Sequence, residues 1–351
     1  MAQLTHISLS KAPFQYSQTE ICASLEKIYP KDFKSSFKIS DVFQNSLVSE
    51  RNFILPFEKV LNLGNAVERN QHYATLGLEL AQKAAQDCLN EAKIPANEIE
   101  TVIFVSSTGF AVPSLETYLM QNLGFSPQAQ RIPIVGWGCT GGIAGLQLAM
   151  KLAKNNPLAK ILLINLETCS LAFQRQDVSV KSVIANAIFN DGATASLILG
   201  DEVPYPSEKS LHLLESYSHL FPQSSHLMGW EQLPTGLQVI LSPEIPQLAK
   251  KESLSFLNHL LEKSTLSLAD IHLWMLHPGG AKILHALQDA LELNSQSMQF
   301  SWDNLKENGN MSSCSVIAGL KNILENPEAK GFGFSCAFGP GFACEGLVFS
   351  K

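Results

Sequence analysis

Residues 131–153 read RIPIVGWGCTGGIAGLQLAMKLA, and they predict the centre of the fold. The short apolar run 132–135 predicts a buried strand that ends at Gly136. Residues 141–150 are apolar or small on every side of a helix, and a helix of that kind is buried. Cys139 is therefore predicted to lie where a buried strand turns into the N-terminus of a central helix.

That position favours a reactive cysteine. Unpaired backbone N–H groups and the positive end of the helix dipole meet at a helix start, and both stabilise a thiolate. Glycines on either side allow other groups to approach the sulfur closely. The alternative is an inert core cysteine, which is the commoner state of a cysteine in apolar surroundings. The glycines and the helix start favour the nucleophile.

The composition excludes several classes of protein. The chain has 351 residues, 45% of them hydrophobic and 16% charged, with a net charge of −7, so it can form a large core and has no excess of basic residues for general nucleic-acid binding. Seven scattered cysteines without a CxxC pair indicate neither a disulfide framework nor a zinc site, and they suit a reducing cytosol. Neither a secretion signal nor a membrane-spanning run is evident, so we expect a cytoplasmic protein.

The two halves of the chain resemble each other. An acidic turn, an apolar strand, a glycine-containing loop and a helix follow one another in both EIETVIFVSSTGFAVPSLETYLMQNLGF and LADIHLWMLHPGGAKILHALQDALELN. The segment around Cys139 is echoed by DNLKENGNMSSCSVIAGLKNIL. Strands that alternate with helices predict a layered α/β architecture. We expect two duplicated halves, residues 1–210 and 211–351, whose equivalent helix starts face each other and bring the segment of Asn310 opposite Cys139.

Cys139, His277 and Asn310 form a coherent set of reactive groups. Cysteine can hold an acyl group as a thioester, histidine can pair with the thiolate or donate to an oxyanion, and asparagine is a neutral donor for an enolate oxygen. Taken alone, His277 could instead be bonded to a backbone carbonyl at a strand end, and Asn310 could be an N-cap. Their coincidence with Cys139 favours catalysis.

Five motifs carry a resemblance to a known family. GWGCTGG, LHPGG, GNMSS, FNDGA and FGPGF resemble the chalcone and stilbene synthases, the type III polyketide synthases. The resemblance runs from about residue 60 to the end. Ketoacyl-ACP synthase III enzymes use the same three residue types but carry HQAN and GNTS, so the motifs here favour the polyketide synthases. The resemblance implies a thiolase-like α-β-α-β-α sandwich.

The resemblance also implies a reaction. A homodimer would load an acyl group from CoA onto Cys139, while His277 and Asn310 hold malonyl-CoA as CO2 leaves and stabilise the enolate. The enolate would attack the thioester, and after several rounds the chain would cyclise. Acyl-CoA and malonyl-CoA are then substrates, and neither a metal nor a redox cofactor is expected.

Further positions match the family's substrate cavity and its surroundings. Phe189 and Val239 match the two gatekeeper positions, and Val112 matches the dimer-contacting loop beside the cavity. The remaining matches line the cavity or scaffold cyclisation: Cys169, Ala172, Thr108, Ser312, Gly339, Pro340 and Gly341. Val239, Cys169 and Ala172 favour an aliphatic starter.

One departure concerns the grip on CoA. The family's N-terminal CoA-binding helix carries several lysines and arginines. Between residues 46 and 60 this chain has only two basic residues, Arg51 and Lys59, and Arg51 is assigned to CoA binding. A carrier-protein thioester, as in a single condensation by a ketoacyl-ACP synthase III-like enzyme, therefore stays open as the acyl donor.

More distant readings are a cysteine hydrolase and a non-catalytic partner on the same fold. A hydrolase elbow needs glycine two residues before the nucleophile, where this chain has Trp137, and papain-like proteases place their cysteine near the mature N-terminus. The intact set of Cys139, His277 and Asn310 argues against a non-catalytic partner. The starter, the number of extensions and the ring produced depend on cavity shape, and the motifs leave them open.

Overall fold

The structure is a computed structural model that describes residues 2–29, 38–206 and 210–351. The strands are β1 (Ala2–Lys11), β2 (Phe14–Ser17), β3 (Glu50–Phe53), β4 (Thr101–Ser106), β5 (Gln130–Val135), β6 (Lys160–Thr168), β7 (Asp191–Gly200), β8 (Leu211–Leu220), β9 (Met228–Leu233), β10 (Gly236–Leu241), β11 (Ile271–Leu276), β12 (Phe332–Gly339) and β13 (Ala343–Ser350).

The helices alternate with these strands as the sequence predicts. They are α1 (Gln18–Ile28), α2 (Ile39–Asn45), α3 (Phe57–Leu61), α4 (Ala66–His72), α5 (Leu78–Ala92), α6 (Leu115–Leu123), α7 (Gly141–Asn155), α8 (Val180–Ile188), α9 (Ile245–Ser264), α10 (Ala281–Ala290), α11 (Gln299–Asn308) and α12 (Ser313–Glu325). A π-helical turn joins α4 to α5. In the described part of the chain, no helix is long and apolar enough to cross a bilayer.

Nine strands form one mixed sheet, in the order β11-β12-β13-β8-β1-β7-β6-β4-β5. The pairing pattern repeats on the two sides of its centre. Strands β4, β6, β7 and β1 pair parallel, antiparallel and antiparallel, and β11, β12, β13 and β8 do the same. The antiparallel pair of β1 with β8 joins the two sides. The duplicated α/β architecture is thereby confirmed, while the division at residue 210 stays a prediction.

Helices α7 and α12 form the central layer. Their apolar side chains share one core with strands from both sides of the sheet, including Ile143 and Leu146 of α7 and Val316 and Leu320 of α12. Helix α5 covers β1 and β7 on one outer face, and α9 covers β8 and β13 on the other. Helix α7 is buried from Gly141 to Met150 except for the half-buried Leu148, which confirms the helix predicted from its apolar composition.

The prediction of a buried strand before Cys139 was wrong in one respect. Strand β5 exists, but it lies at the edge of the sheet and, within the described ranges, pairs with β4 alone. Its side chains are exposed or half-buried, and Val135 keeps 57% of its surface accessible. Among the described residues, only Ile132 and Ile134 of this strand pack against the core, and both are half-buried. The apolar run alone did not show how much of the strand would be covered.

The starts of α7 and α12 touch through glycine. A Cβ on Gly142 would lie 2.3 Å from the backbone oxygen of Ser313, and one on Gly141 would lie 2.6 Å from Cγ1 of Val105. Real Cβ atoms do not approach backbone that closely, so any side chain at Gly142 would force the two helix starts apart. The distance between Cys139 and Asn310, which precede these helices, depends on this contact.

We expect Gly142→Ala to lower the free energy of unfolding by about 2 kcal/mol, because the added methyl group overpacks a backbone contact. Urea unfolding followed by circular dichroism measures the change. Gly229→Ala is the matched control, since a Cβ there would meet nothing within 4 Å. Equal stability of the two variants would contradict the close contact of α7 with α12.

Candidate active site

The three predicted catalytic residues meet in one cavity of about 930 Å³, although they come from three different places in the chain. Cys139 lies in a single helical turn just before α7, His277 follows β11, and Asn310 lies in the loop before α12. The Cys139 sulfur is 4.0 Å from Oδ1 of Asn310. The sequence-based placement of Asn310 opposite Cys139 therefore agrees with the geometry.

His277 is held by its backbone and leaves its ring available. Its N–H donates to the carbonyl of Cys336 at 2.8 Å, which continues the pairing of β11 with β12. The ring is buried, and both ring nitrogens lack a hydrogen-bond partner among the described residues. The alternative of a histidine whose ring is bonded to a backbone carbonyl is not what the structure has. A buried imidazole that lines a cavity in this way can exchange a proton with a bound molecule.

Asn310 is fixed on several sides. Its backbone N–H donates to Ile188 at 2.8 Å, and its carbonyl accepts from Asn190 at 2.8 Å. Its side-chain oxygen accepts from the N–H of Ser312 at 2.8 Å, and its amide nitrogen donates to the carbonyl of Gly279 at 3.2 Å. The amide nitrogen has two hydrogens, so one stays free for an oxygen in the cavity.

Burial dominates the charge state of the cysteine and the histidine. Removal from water raises the pKa of the Cys139 thiol to about 12. The charge of Glu167 adds to the effect, although hydrogen bonds with Ser312 and Asn310 oppose it. Burial also lowers the pKa of His277 to about 3. The helix start alone therefore does not produce a thiolate, contrary to the sequence-based expectation. His277 lines the same cavity and is the candidate acceptor for the proton of Cys139.

Glu167 is a site residue that the motifs did not single out. Its oxygens accept from the hydroxyl of Ser313 at 2.6 Å and from the hydroxyl of Thr108 at 2.9 Å. Burial raises its pKa to about 7, although these hydrogen bonds lower it. The sequence signal for this role was a glutamate at the end of the apolar strand β6. A carboxyl that is buried there needs hydrogen-bond partners, and so it indicates a polar site. Thr108 thus acts behind the cavity wall, as a partner of Glu167.

The other predicted residues divide into groups. Phe189, Val239, Ser312 and Pro340 line the cavity of Cys139. Cys169 and Ala172 line a second pocket of about 40 Å³, and Phe189 and Val239 border both pockets. Trp230 also borders both, and its ring centre lies 5.7 Å from that of Phe189. No pattern in the sequence around Trp230 indicated this role.

The glycines of the C-terminal loop act through the backbone. A Cβ on Gly339 would lie 2.9 Å from the backbone nitrogen of Thr140, and Gly341 has a φ of +134°. A Cβ on Gly138 would lie 2.7 Å from the ring of Pro340. The loop therefore packs directly against the segment of Cys139, and Pro340 is its member that lines the cavity.

Two assignments need comment. Val112 is 81% exposed on the loop after β4 and does not line the cavity of its own chain, so its assignment to a dimer-contacting loop stays a prediction. Arg51 is 2% exposed and lines the second pocket, so it is not placed to meet CoA phosphates in solvent at the cavity mouth. Lys181 and Lys282 are the lysines that line the main cavity, and Lys282 is exposed.

Comparison with known proteins identifies the family. Models described as "Chalcone and stilbene synthases, N-terminal domain" and "C-terminal domain" match residues 57–202 and 212–351. The chain belongs to the chalcone and stilbene synthase family. It is a type III polyketide synthase, an enzyme of decarboxylating condensation.

Individual relatives agree with this assignment. The synthase is 34% identical to a putative chalcone synthase of Bacillus subtilis, over 100% of this chain and 99% of that protein. It is 31% identical to a 1,3,6,8-tetrahydroxynaphthalene synthase of Streptomyces peucetius, over 95% of this chain and 89% of that protein. The crystal structure of the Streptomyces coelicolor 1,3,6,8-tetrahydroxynaphthalene synthase superimposes with a TM-score of 0.92 at 26% identity, covering 99% of both chains. The thiolase-like fold is thereby confirmed.

Alkylation of Cys139 tests the proton transfer. We expect His277→Ala to slow the reaction of Cys139 with iodoacetamide at pH 7 by at least about tenfold, because a buried thiol without an acceptor must ionise alone. The rate in the variant should rise only toward high pH. Mass spectrometry of the Cys139 peptide across pH gives both profiles. The exposed His226→Ala is the control, and identical profiles for wild type and His277→Ala would refute the pairing.

Proposed function

We propose that the synthase loads an acyl group from CoA onto Cys139, extends it with malonyl-CoA through several decarboxylating condensations, and releases a cyclised product. The observation that carries the proposal is the buried ring of His277, which lacks partners among the described residues in the same cavity as Cys139 and Asn310. In this scheme Cys139 carries the acyl group, His277 transfers protons and donates a hydrogen bond, and Asn310 donates a hydrogen bond.

In the loading step, His277 takes the proton of Cys139 as the sulfur attacks the acyl-CoA carbonyl. The tetrahedral intermediate collapses, CoA leaves as a thiolate and receives the proton from His277, and the acyl group stays on Cys139 as a thioester. Transfer of the proton only as the sulfur attacks avoids a separated charge on either buried residue until the substrate is present.

In the extension step, the ring N–H of His277 and the free amide hydrogen of Asn310 donate to the thioester carbonyl of malonyl-CoA. The bond to the carboxylate breaks, CO2 leaves, and its electron pair forms an enolate whose oxygen keeps both hydrogen bonds. The enolate carbon attacks the Cys139 thioester and expels the thiolate. The product is a CoA thioester longer by two carbons, which Cys139 can take up again.

Neither a metal nor a redox cofactor takes part in this scheme, because every step is a proton transfer, an acyl transfer or a loss of CO2. Lys181 and Lys282 at the main cavity are the basic groups proposed to bind CoA phosphates. Seven cysteines without a disulfide bond suit the proposed cytoplasmic location.

We also propose that the synthase is a homodimer that covers the exposed edge of β5. Five large side chains around this edge are exposed: Phe110, Val112, Tyr118, Val135 and Trp137. Helix α6 flanks the strand, as the contact of Arg131 with Glu116 at 3.5 Å indicates. An unpaired edge strand beside an apolar patch is a surface that proteins normally cover.

Product analysis tests the activity. Incubation with radiolabelled malonyl-CoA and a panel of acyl-CoA starters should give cyclised polyketides by mass spectrometry. Cys139→Ala should reduce their formation at least about 1,000-fold, because no thioester can form. Cys22→Ala, outside the cavity, should retain activity. Free acid and CoA without a new carbon–carbon bond would instead support a hydrolase, and turnover only of carrier-protein esters would replace CoA as the donor.

Light scattering with size exclusion tests the dimer. We expect a mass of twice 38.4 kDa for the wild type. The double variant Val112→Glu/Val135→Glu should run as a monomer, because two buried carboxylates per chain would lie at the interface. Leu254→Glu, at an exposed position on α9, is the matched control. A monomeric wild type would refute the proposal.

A further inference from the structure

Arg51 is a buried guanidinium without an ion pair. It is 2% exposed, and no carboxylate lies within 4.0 Å of it among the described residues. The carboxylate whose charge affects Arg51 is that of Asp191, and it instead accepts from the backbone N–H groups of Ile54 and Ser170 at 2.7 Å. A buried cation in this state costs free energy unless hydrogen bonds compensate for it.

The hydrogen bonds of Arg51 are incomplete. Its Nη1 donates to the carbonyl of Asn186 at 2.6 Å, and its Nε is buried without a partner among the described residues. The guanidinium also lies 5.2 Å from the ring centre of Phe53. Guanidinium is a planar fork of donors that pairs with two oxygens held in one plane. The side chain therefore has donor capacity that the described protein groups leave unused.

The unused capacity borders the second pocket. Arg51 lines this pocket together with Cys169, and Phe189, Trp230 and Val239 form the wall that it shares with the cavity of Cys139. Cys169 is close enough to both Cys139 and Arg51 for their charges to interact. A volume of about 40 Å³ has room for a small polar group, and not for a ring or a long alkyl tail.

We propose that Arg51 binds the carbonyl or enolate oxygens at the far end of the acyl chain on Cys139, and so selects chains that carry an oxygen there. The enol or enolate form of a β-dicarbonyl group is planar and presents two oxygens, which matches the donor fork. This inference rests on the proposed function and departs from the aliphatic starter expected on the sequence. It gives Arg51, first assigned to CoA, a role in substrate specificity.

Matched starters test the proposal. Pairs of acyl-CoA esters of equal length that differ by a ketone one carbon from the end are compared: butanoyl with 3-oxobutanoyl, hexanoyl with 5-oxohexanoyl, and octanoyl with 7-oxooctanoyl. For at least one pair, we expect the wild type to favour the ketone by about tenfold or more in kcat/KM, because a hydrogen bond to a charged donor would be lost with the alkane. The pair with the largest ratio measures the reach from Cys139 to Arg51.

Arg51→Met should bring that ratio to about one, and Arg51→Lys should keep part of it. The control is Arg69→Met, since Arg69 is also buried and donates to the carbonyls of Leu171 and Leu63 at 2.8 and 3.2 Å, yet does not line the second pocket. It should leave the ratio unchanged even if stability falls.

Two results would overturn the inference. The first is a wild type that extends every unsubstituted acyl starter as efficiently as its matching ketone. The second is an unchanged ratio in Arg51→Met, which would reduce Arg51 to a structural role. Failure to form a carbon–carbon bond from any starter would sink the proposed function as well, so the two failures are distinguishable.

Discussion

The contact between the starts of α7 and α12 is the constraint on which the site depends. Gly141 and Gly142 have no side chain, and so the backbone of Ser313 can lie against the first turn of α7. This contact brings Cys139 and Asn310, which are 171 residues apart in sequence, to a sulfur–oxygen distance of 4.0 Å. The repeated pairing pattern of the two sides of the sheet places the two helices in the same layer, and the glycines set how close they come.

Burial then determines the chemistry. Cys139, His277 and Glu167 are all buried, and burial favours the neutral form of each. It raises the pKa of Cys139 and of Glu167 and lowers the pKa of His277. A site in which every group resists charge does little until a substrate supplies an oxyanion to stabilise or a carbonyl to attack. In such surroundings the few free hydrogen-bond donors, on Asn310 and His277, act more strongly than they would in water.

Arg51 is also buried, but it keeps its charge. Its permanent charge cannot be neutralised at ordinary pH, even though burial lowers its pKa to about 10. A buried charge of this kind attracts polar groups of a bound substrate strongly, because little water competes for its hydrogen bonds. Phe189, Trp230 and Val239 line both the pocket of this charge and the cavity of Cys139.

The sequence by itself determined the α/β class, the central buried helix, the duplication and the set of Cys139, His277 and Asn310, because these follow from local apolar patterns and from motifs a few residues long. Tertiary structure alone decided that β5 is an exposed edge, that Arg51 lies in a second pocket, and that Glu167 and Trp230 belong to the site. The tertiary structure also decided the charge state of Cys139. Each of these depends on which distant segments cover a residue, and exposure, desolvation and cavity volume are sums over neighbours that the local sequence does not contain.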